Sequence, residues 1–217
     1  MLDTSKRYVL LDRDGVINRR IVNGYVTRWK DFAFLPGALA ALRLLRENGY
    51  TALVVSNQSC VGRGLLSWQE LQGITRRMQL EVALAGGAIG KVYYCVHAPG
   101  DACNCRKPQP GLLLQAMEEH QAWPAQIHMV GDSESDMEAA ARAGCRSLLV
   151  NRCAFLQHEA AAGTLTNVVS DLLEAATLIV RRDTQTLDET LRRGWPHLHS
   201  AWHAVSQLSN PVKRNQA

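Results

Sequence analysis

Six short apolar runs recur along the chain, and longer helical patterns separate them. Hydrophobic side chains occupy successive positions in each run, which is typical of parallel strands that are covered on both faces. Strands that alternate with helices in this way predict a doubly wound α/β fold with a mostly parallel sheet and right-handed crossovers. The expected strands span residues 8–11, 51–55, 91–96, 127–130, 147–150 and 166–169.

The helical patterns have recognisable beginnings and ends. Proline lies near the start of two of them, where its fixed φ suits the first turn, and three of them end at a glycine. Ser67 and Glu70 have the spacing of a capping box, which opens a helix that runs to about Gly86. The expected helices span residues 36–49, 67–86, 110–120 and 133–144.

The composition indicates one domain with a short extension. The chain has 217 residues, of which 47% are hydrophobic, and this is enough for a substantial core. Six basic and three acidic residues lie in 181–217, so this segment supplies +3 of the net charge of +4. The nearly neutral remainder argues against a nucleic-acid partner. We expect a domain over residues 1–180 and a helical or flexible extension over residues 181–217.

The chain shows no sign of a membrane partner or of export. Its apolar stretches are shorter than the roughly 18 residues that span a membrane, and its first residues lack the apolar core of a signal peptide. Three of the six cysteines lie within 95–105, which favours metal binding over disulfides. Cys60, Cys145 and Cys153 are interpreted as small hydrophobic residues. We expect a monomer in the cytoplasm.

Polar side chains cluster at the carboxyl ends of the predicted strands. In an open α/β sheet these ends lie along one edge, where ligands bind. Carboxylates from two strands make a hard-oxygen site suited to Mg²⁺, and a lysine and a hydroxyl beside them indicate phosphoryl transfer. The residues expected at this edge are Asp12, Asp14, Ser56, Asn57, Gln58, Cys95, His97, Asp132 and Asp136.

Four segments resemble, in order and at suitable spacing, the four motifs of the haloacid dehalogenase superfamily of phosphatases. They are LLDRDGVIN, VVSNQ, CRKPQPG and MVGDSESDMEAA, and the resemblance covers roughly residues 7 to 152. Within the superfamily, SNQSCVGRG and the cysteine-rich loop resemble the bacterial D-glycero-D-manno-heptose 1,7-bisphosphate 7-phosphatases. This resemblance implies a Rossmann-like core and Mg²⁺-dependent hydrolysis of the 7-phosphate of a heptose bisphosphate.

The resemblance also implies a role for each catalytic residue. Asp12 would be the nucleophile that forms an aspartyl-phosphate, and Asp14 would protonate the leaving group and then activate water. Ser56 and Lys107 would hold the phosphoryl oxygens. Mg²⁺ would be bound by the Asp12 carboxylate, the Asp14 backbone carbonyl and Asp132.

Too few residues separate the motifs for a folded cap domain, so we expect an open site shaped by loops. A small phosphorylated sugar is the expected ligand, with Arg106 placed to pair with its non-reacting phosphate. Two roles stay open for Asp136: support of the metal or of Lys107, and stabilisation of the helix dipole. The substrate-binding residues implied by the resemblance are Asn23, Gly24, Tyr25, Asn57, Gln58, Ser59, Arg106 and Ser133.

Four candidate metal ligands lie in one loop with the spacing Cys-x-His-x5-Cys-x-Cys. They are Cys95, His97, Cys103 and Cys105. Three thiolates and one imidazole complete a tetrahedral structural Zn²⁺ site and leave no position for water. We therefore expect zinc to order the loop and to place the Arg-Lys pair that follows the last ligand.

Three alternative functions remain open. The histidinol-phosphate phosphatases form the sister group and have a similar zinc loop, although NGYV and SNQSCVGRG favour the heptose group. A polynucleotide 3′-phosphatase would need a basic surface. A phosphoacceptor receiver, which is a signalling module, also carries acidic residues, a hydroxyl and a lysine at its strand ends. It has no use for Asp14 as an acid or for zinc.

Overall fold

The computed structural model describes residues 7–151 and 167–194, and within them six strands form one parallel sheet. The strand order is β3-β2-β1-β4-β5-β6. The predicted doubly wound α/β fold is therefore confirmed. The strands are β1 (Arg7–Leu11), β2 (Tyr50–Asn57), β3 (Ile89–Cys95), β4 (His128–Gly131), β5 (Arg146–Val150) and β6 (Val168–Val169).

Helices connect the strands, and their ends follow the expected signals. Ser67 and Glu70 form the predicted capping box, and Gly144 ends its helix in the left-handed conformation. A four-residue helix that begins at Ser59 was not predicted. The helices are α1 (Ala38–Glu47), α2 (Ser59–Gly62), α3 (Trp68–Leu84), α4 (Gly111–Glu119), α5 (Glu134–Ala143) and α6 (Leu172–Gly194).

The core explains why the strands are apolar at successive positions. Leu10 and Leu53 belong to a buried cluster with Leu113 of α4 and Ala140 of α5. Helix α1 contacts β2 and α3, and its Leu42 is fully buried. Each central strand therefore has helices to pack against, and alternation with polar residues would leave polar groups in the core.

The strand order places the switch point of the sheet at β1. The chain leaves β1 for β2 on one side, and β4 pairs with β1 on the other side. The loops after β1 and β4 therefore diverge at their carboxyl ends and leave a crevice between them, which is where α/β sheets bind ligands.

The loop that follows β1 holds no folded cap. Between β1 and α1 the described chain contains only a one-turn 3₁₀ helix, Trp29–Asp31, and between β2 and β3 it contains α2 and α3. The expected cap-free architecture is confirmed for residues 7–151 and 167–194. In these ranges the crevice is therefore bordered by loops and by the first turns of α2 and α5.

The C-terminal region begins with α6. The chain divides into two units between Thr177 and Leu178, inside this helix. The domain boundary at residue 180 stays a prediction, and residues 195–217 and Cys153 lie outside the described ranges. Among the helices in the described ranges, none combines the length and hydrophobicity that a membrane span requires.

Candidate active site

Asp12 lies directly after β1, at the crevice. Its backbone N–H donates to the carbonyl oxygen of Val130 at 2.9 Å, so β4 holds the turn in place. The turn continues through Gly15, whose φ of +100° is unfavourable for residues with a Cβ. A Cβ at Gly15 would also lie 2.0 Å from Asp132 Oδ2. Glycine is therefore needed for Asp132 to approach the loop that carries Asp12.

Lys107 is buried between two carboxylates. Its Nζ lies 2.8 Å from Asp12 Oδ1 and 2.5 Å from Asp136 Oδ1, and it donates to the carbonyl oxygen of Val55 at 2.8 Å. Burial alone would lower the pKa of Lys107, but attraction to the two carboxylates raises it above its ordinary value. The ammonium is therefore a fixed positive charge beside Asp12.

Three carboxylates converge in the crevice. Asp12, Asp132 and Asp136 each place an oxygen within 4.8 Å of the others. Burial, helped by repulsion from Asp136 and Asp14, raises the pKa of Asp12 to about 7, although Lys107 acts to lower it. Burial also raises the pKa of Asp132. A hard divalent cation would offset this repulsion, so the donor set fits such an ion.

Asp136 contacts both Lys107 and the start of its own helix. Its Oδ1 pairs with Lys107, and its Oδ2 accepts hydrogen bonds from the backbone N–H of Ser133 at 3.2 Å and from Ser133 Oγ at 2.6 Å. The two roles that the sequence left open for Asp136 are thus combined in one side chain. It is 1% exposed, yet it lines the cavity together with Asp12 and Asp132.

Asn57 joins the loop after β2 to the loop that carries Lys107. Its Nδ2 donates to the carbonyl oxygen of Lys107 at 3.0 Å, and its Oδ1 accepts from the backbone N–H of Lys107 at 3.1 Å. Both ends of the Asn57 amide are therefore bound to one residue. This pair of hydrogen bonds fixes the position from which Lys107 reaches Asp12.

A cavity of about 710 Å³ opens over these groups. Three guanidinium groups, those of Arg20, Arg63 and Arg106, also line it, and Arg20 Nη1 lies 3.3 Å from Asp132 Oδ2. The cavity wall thus combines the carboxylates of the site with three positively charged guanidinium groups. The predicted residues that line it are Asp12, Asp14, Asn23, Gly24, Tyr25, Ser56, Asn57, Ser59, Arg106, Lys107, Asp132, Ser133 and Asp136.

Gln58 departs from the prediction of a substrate-binding residue. It is 1% exposed and is absent from the cavity wall. Its Nε2 donates to Asp14 Oδ2 at 2.7 Å and to Ser56 Oγ at 3.1 Å. The side chain therefore contacts two predicted catalytic residues from behind, because the chain turns inward between Asn57 and the short helix α2.

The sequence did not predict Arg20, which lines the cavity, or two buried residues that contact Asp14. Arg13 and Asn18 are both fully buried, and both donate hydrogen bonds to the carboxylate of Asp14. An arginine between two aspartates in a loop is usually solvated. The available signal was its position inside a tight turn that directly follows a core strand.

The four predicted metal ligands lie together on one side of the crevice. Cys95 Sγ lies 3.6 Å from Cys103 Sγ and 3.6 Å from His97 Nδ1. Cys105 Sγ lies 3.2 Å from His97 Nδ1 and 3.5 Å from Cys103 Sγ. Tetrahedral metal–thiolate and metal–imidazole bonds give ligand separations of about 3.5–3.8 Å. The cluster therefore fits one tetrahedral metal ion.

The metal loop is packed tightly against its neighbours. The backbone N–H of Gly62 donates to the carbonyl oxygen of Val96 at 2.9 Å, and that of Gly111 donates to the carbonyl oxygen of Asn104 at 3.0 Å. A Cβ at Gly111 would lie 2.3 Å from that same carbonyl oxygen. Since Lys107 lies between Asn104 and Gly111, the geometry of the loop determines where its ammonium group reaches.

A substitution at Gly131 tests how closely β4 approaches α5. A Cβ at Gly131 would lie 2.2 Å from Asp136 Cβ, and Asp136 cannot move without leaving Lys107. We expect Gly131→Ala to lower the free energy of unfolding by about 1–3 kcal/mol and to reduce turnover. Urea unfolding measures the first effect and phosphate release the second.

Gly73→Ala is the matched control for this substitution. Gly73 lies within α3, and apart from the adjacent backbone of its own helix no atom lies within 4 Å of the position of its missing Cβ. Because alanine favours the helix by about 1 kcal/mol over glycine, we expect unchanged or raised stability there. Equal effects of the two substitutions would contradict the close approach at Gly131.

Comparisons with known proteins agree with this geometry. Residues 104–175 match the family model described as "HAD-hyrolase-like". A Mycobacterium bovis protein named D-glycero-alpha-D-manno-heptose-1,7-bisphosphate 7-phosphatase is 42% identical over 148 residues, which cover 65% of this chain and 78% of the relative. A Pseudomonas putida protein named D-glycero-beta-D-manno-heptose-1,7-bisphosphate 7-phosphatase is 37% identical over 144 residues, which cover 66% and 82%.

A solved structure is similar over most of the described fold. The crystal structure of D,D-heptose 1.7-bisphosphate phosphatase from B. bronchiseptica, complexed with magnesium and phosphate, has a TM-score of 0.73 and 32% sequence identity to this chain. The match covers 81% of this chain and 99% of that chain.

The fold, with its carboxylates and lysine at the crevice, is that of a hydrolase of the haloacid dehalogenase superfamily. Within that superfamily the chain belongs to the family of the D-glycero-D-manno-heptose-1,7-bisphosphate 7-phosphatases. It is therefore a phosphomonoester hydrolase, and the resemblance found in its motifs is confirmed.

Proposed function

We propose that this chain hydrolyses the 7-phosphate of D-glycero-D-manno-heptose 1,7-bisphosphate through a phosphorylated Asp12. The observation that carries the proposal is the position of the Asp12 carboxylate in the cavity wall, 2.8 Å from Lys107 Nζ and in one cluster with Asp132. The relatives and the solved structure described above are named for this heptose bisphosphate.

In the first step a carboxylate oxygen of Asp12 attacks the phosphorus atom of the 7-phosphate. The bond between phosphorus and the sugar oxygen breaks, and that oxygen takes a proton from the carboxyl group of Asp14. Lys107 and Ser56 hold the phosphoryl oxygens, because the ammonium already lies beside Asp12 and Ser56 faces the same cavity. The products are heptose 1-phosphate and an aspartyl-phosphate at Asp12.

In the second step water attacks the phosphorus atom of the aspartyl-phosphate. Asp14, which is a carboxylate after the first step, accepts a proton from this water, and the bond between phosphorus and Asp12 breaks. Inorganic phosphate leaves, and both side chains return to their starting states. The reaction consumes water and needs no other reactant.

Two metal ions complete the proposal. Mg²⁺ would be held by the Asp12 carboxylate, Asp132 and the backbone carbonyl of Asp14, and it supplies charge that lets an anionic nucleophile approach an anionic phosphate. Zn²⁺ would be held by Cys95 and the three other ligands of its loop, where its role is structural.

The cavity wall accounts for a substrate with two phosphates. Arg106 lies beside Lys107 in sequence and lines the cavity, so it can pair with the phosphate that does not react. Asn23, Gly24 and Tyr25 line the same cavity, and the hydroxyl of Tyr25 lies 3.2 Å from Ser59 Oγ. We place the sugar against this segment. We also expect the chain to act as a monomer in the cytoplasm.

Phosphate release from two substrates tests the proposal. We expect kcat/KM for heptose 1,7-bisphosphate to exceed that for histidinol phosphate by at least about 100-fold, because the latter has no second phosphate for the arginines. Release should continue over many turnovers with Mg²⁺ and stop with EDTA. Preference for histidinol phosphate would assign the chain to that activity, and a single turnover per chain would indicate a phosphoacceptor module.

A further inference from the structure

The carboxylate of Asp14 accepts hydrogen bonds from three side chains. Asn18 Nδ2 donates to Oδ1 at 2.8 Å, and Gln58 Nε2 donates to Oδ2 at 2.7 Å. Arg13 Nη2 reaches both oxygens, at 3.1 Å and 2.9 Å. Asn18 and Gln58 therefore each bind one oxygen and Arg13 Nη2 lies between the two oxygens, which leaves the carboxylate little freedom to rotate.

All three donors belong to the interior of the protein. Arg13 and Asn18 are 0% exposed and Gln58 is 1% exposed, whereas the side chain of Asp14 is 23% exposed and lines the cavity. A buried guanidinium is always charged and needs an anion beside it. Only Asp14 is thus presented to substrate, and the network lies entirely behind it.

Gln58 connects Asp14 to a second residue of the site. The same Nε2 that donates to Asp14 also donates to Ser56 Oγ at 3.1 Å, and Gln58 Oε1 accepts from Arg13 Nη2 at 3.2 Å. The amide is therefore engaged at both ends inside the protein. Such a side chain sets the relative positions of Asp14 and Ser56 and leaves no group free for a ligand.

We infer that Arg13, Asn18 and Gln58 are positioning residues that hold the Asp14 carboxylate at the angle from which it donates its proton to the leaving oxygen. The inference rests on the proposed function and deepens it. Proton transfer needs a donor within hydrogen-bond distance of the leaving atom. Residues 7–151 and 167–194 contain no cap domain that could press Asp14 into place, so the hydrogen bonds from behind supply this order.

Leaving-group dependence separates positioning from a general structural effect. p-Nitrophenolate leaves without a proton, whereas the sugar alkoxide needs one. We expect Gln58→Met, which keeps the volume and removes the donor, to lower kcat/KM for heptose 1,7-bisphosphate by about 10- to 100-fold. The value for p-nitrophenyl phosphate should fall by less than about threefold, since its first step does not use the proton of Asp14.

The assay uses the full chain with Mg²⁺. Two further variants serve as the positive and the negative control. Asp14→Asn removes the proton donor itself and should show the same selective loss at larger size. Gln79→Met is the matched control, because Gln79 is half-buried on α3 and its Nε2 bonds only to the carbonyl oxygen of Ile89. It should leave both substrates unchanged.

Several outcomes would overturn the inference. Equal losses on both substrates for a folded Gln58→Met would show a structural role, and no loss on either would show that the amide is dispensable. If this variant fails to fold, as judged by thermal unfolding, Asn18→Ala removes a donor from the other carboxylate oxygen and is read in the same way. If wild type releases no phosphate from either substrate, the proposed function fails rather than the positioning role.

Discussion

Asp12→Asn is expected to lower kcat for phosphate release by at least about 10⁴-fold. The amide nitrogen and oxygen of asparagine carry no net charge, so they cannot attack phosphorus to form an acyl-phosphate. The substitution also removes the anion that pairs with Lys107 Nζ at 2.8 Å and one oxygen of the carboxylate cluster. Continuous detection of inorganic phosphate over a range of heptose bisphosphate concentrations gives kcat and KM separately.

The fold of the variant must be checked, because Asp12 is buried with its ion-pair partner. Thermal unfolding should show a cooperative transition close to that of wild type, since asparagine still offers an acceptor oxygen to Lys107. Asp31→Asn is the matched control: Asp31 pairs with Arg28 at 3.5 Å in the loop helix and is not part of the cavity wall. Turnover by a folded Asp12→Asn within about tenfold of wild type would reject the covalent mechanism.

The sequence predicted the sheet well because every central strand is covered on both sides. In a sheet with one face exposed to solvent, a continuous apolar run such as 51–55 would leave hydrophobic side chains in water. The runs therefore predict parallel strands that are covered on both faces. Once the strands are parallel, their carboxyl ends meet. This brought Asp12, Ser56 and Asp132 together without knowledge of any distance.

The sequence did not predict which side chains line the cavity and which contact the cavity residues from the protein interior. Gln58 follows Asn57 directly, yet Asn57 lines the cavity and Gln58 is bonded to Asp14 and Ser56 inside the protein. The difference arises because α2 begins at the next residue and turns the chain inward. A four-residue helix is too short to produce a periodic pattern.

Arg13 is a second residue whose position could not be predicted from the sequence, in this case because its burial depends on charge pairing. Its charge and its place between two aspartates predict exposure, but it is fully buried with Asp14 as its anion. The cost of burial is offset by the particular arrangement of Asp14, Gln58 and the ring of Tyr94, whose centroid lies 6.0 Å from the guanidinium carbon. Such compensation depends on tertiary contacts that no local spacing encodes.

The metal loop and the phosphate site are mechanically joined through three consecutive residues. Cys105 is a ligand of the proposed zinc site, Arg106 lines the cavity, and Lys107 pairs with Asp12. Asn57 binds the backbone of Lys107, and Asp136 and the carbonyl oxygen of Val55 bind its ammonium group, but the metal loop is the segment that leads into it. Loss of the metal would free one end of the segment, so the ammonium would lose its fixed position beside Asp12.

Cys103→Ala is therefore expected to lower zinc content, stability and turnover together. Bound zinc should fall from about one per chain to near zero, because a site with three protein ligands binds far more weakly than a complete tetrahedral one. The midpoint of thermal unfolding should fall by several degrees, and kcat should drop by at least about 100-fold as Lys107 loses its support. Elemental analysis, calorimetry and phosphate release measure the three quantities on one sample.

Cys145→Ala is the matched control for this variant. Cys145 Sγ lies 3.5 Å from Met117 Sδ, outside the four-ligand cluster, so its removal should leave zinc content and turnover unchanged and cost only a modest loss of packing. The decisive test is whether Cys103→Ala loses its bound zinc and its turnover together. If this variant lacks zinc but turns over heptose bisphosphate at the wild-type rate, the zinc does not place Lys107, and its contacts with Asn57, Val55 and Asp136 suffice to order it.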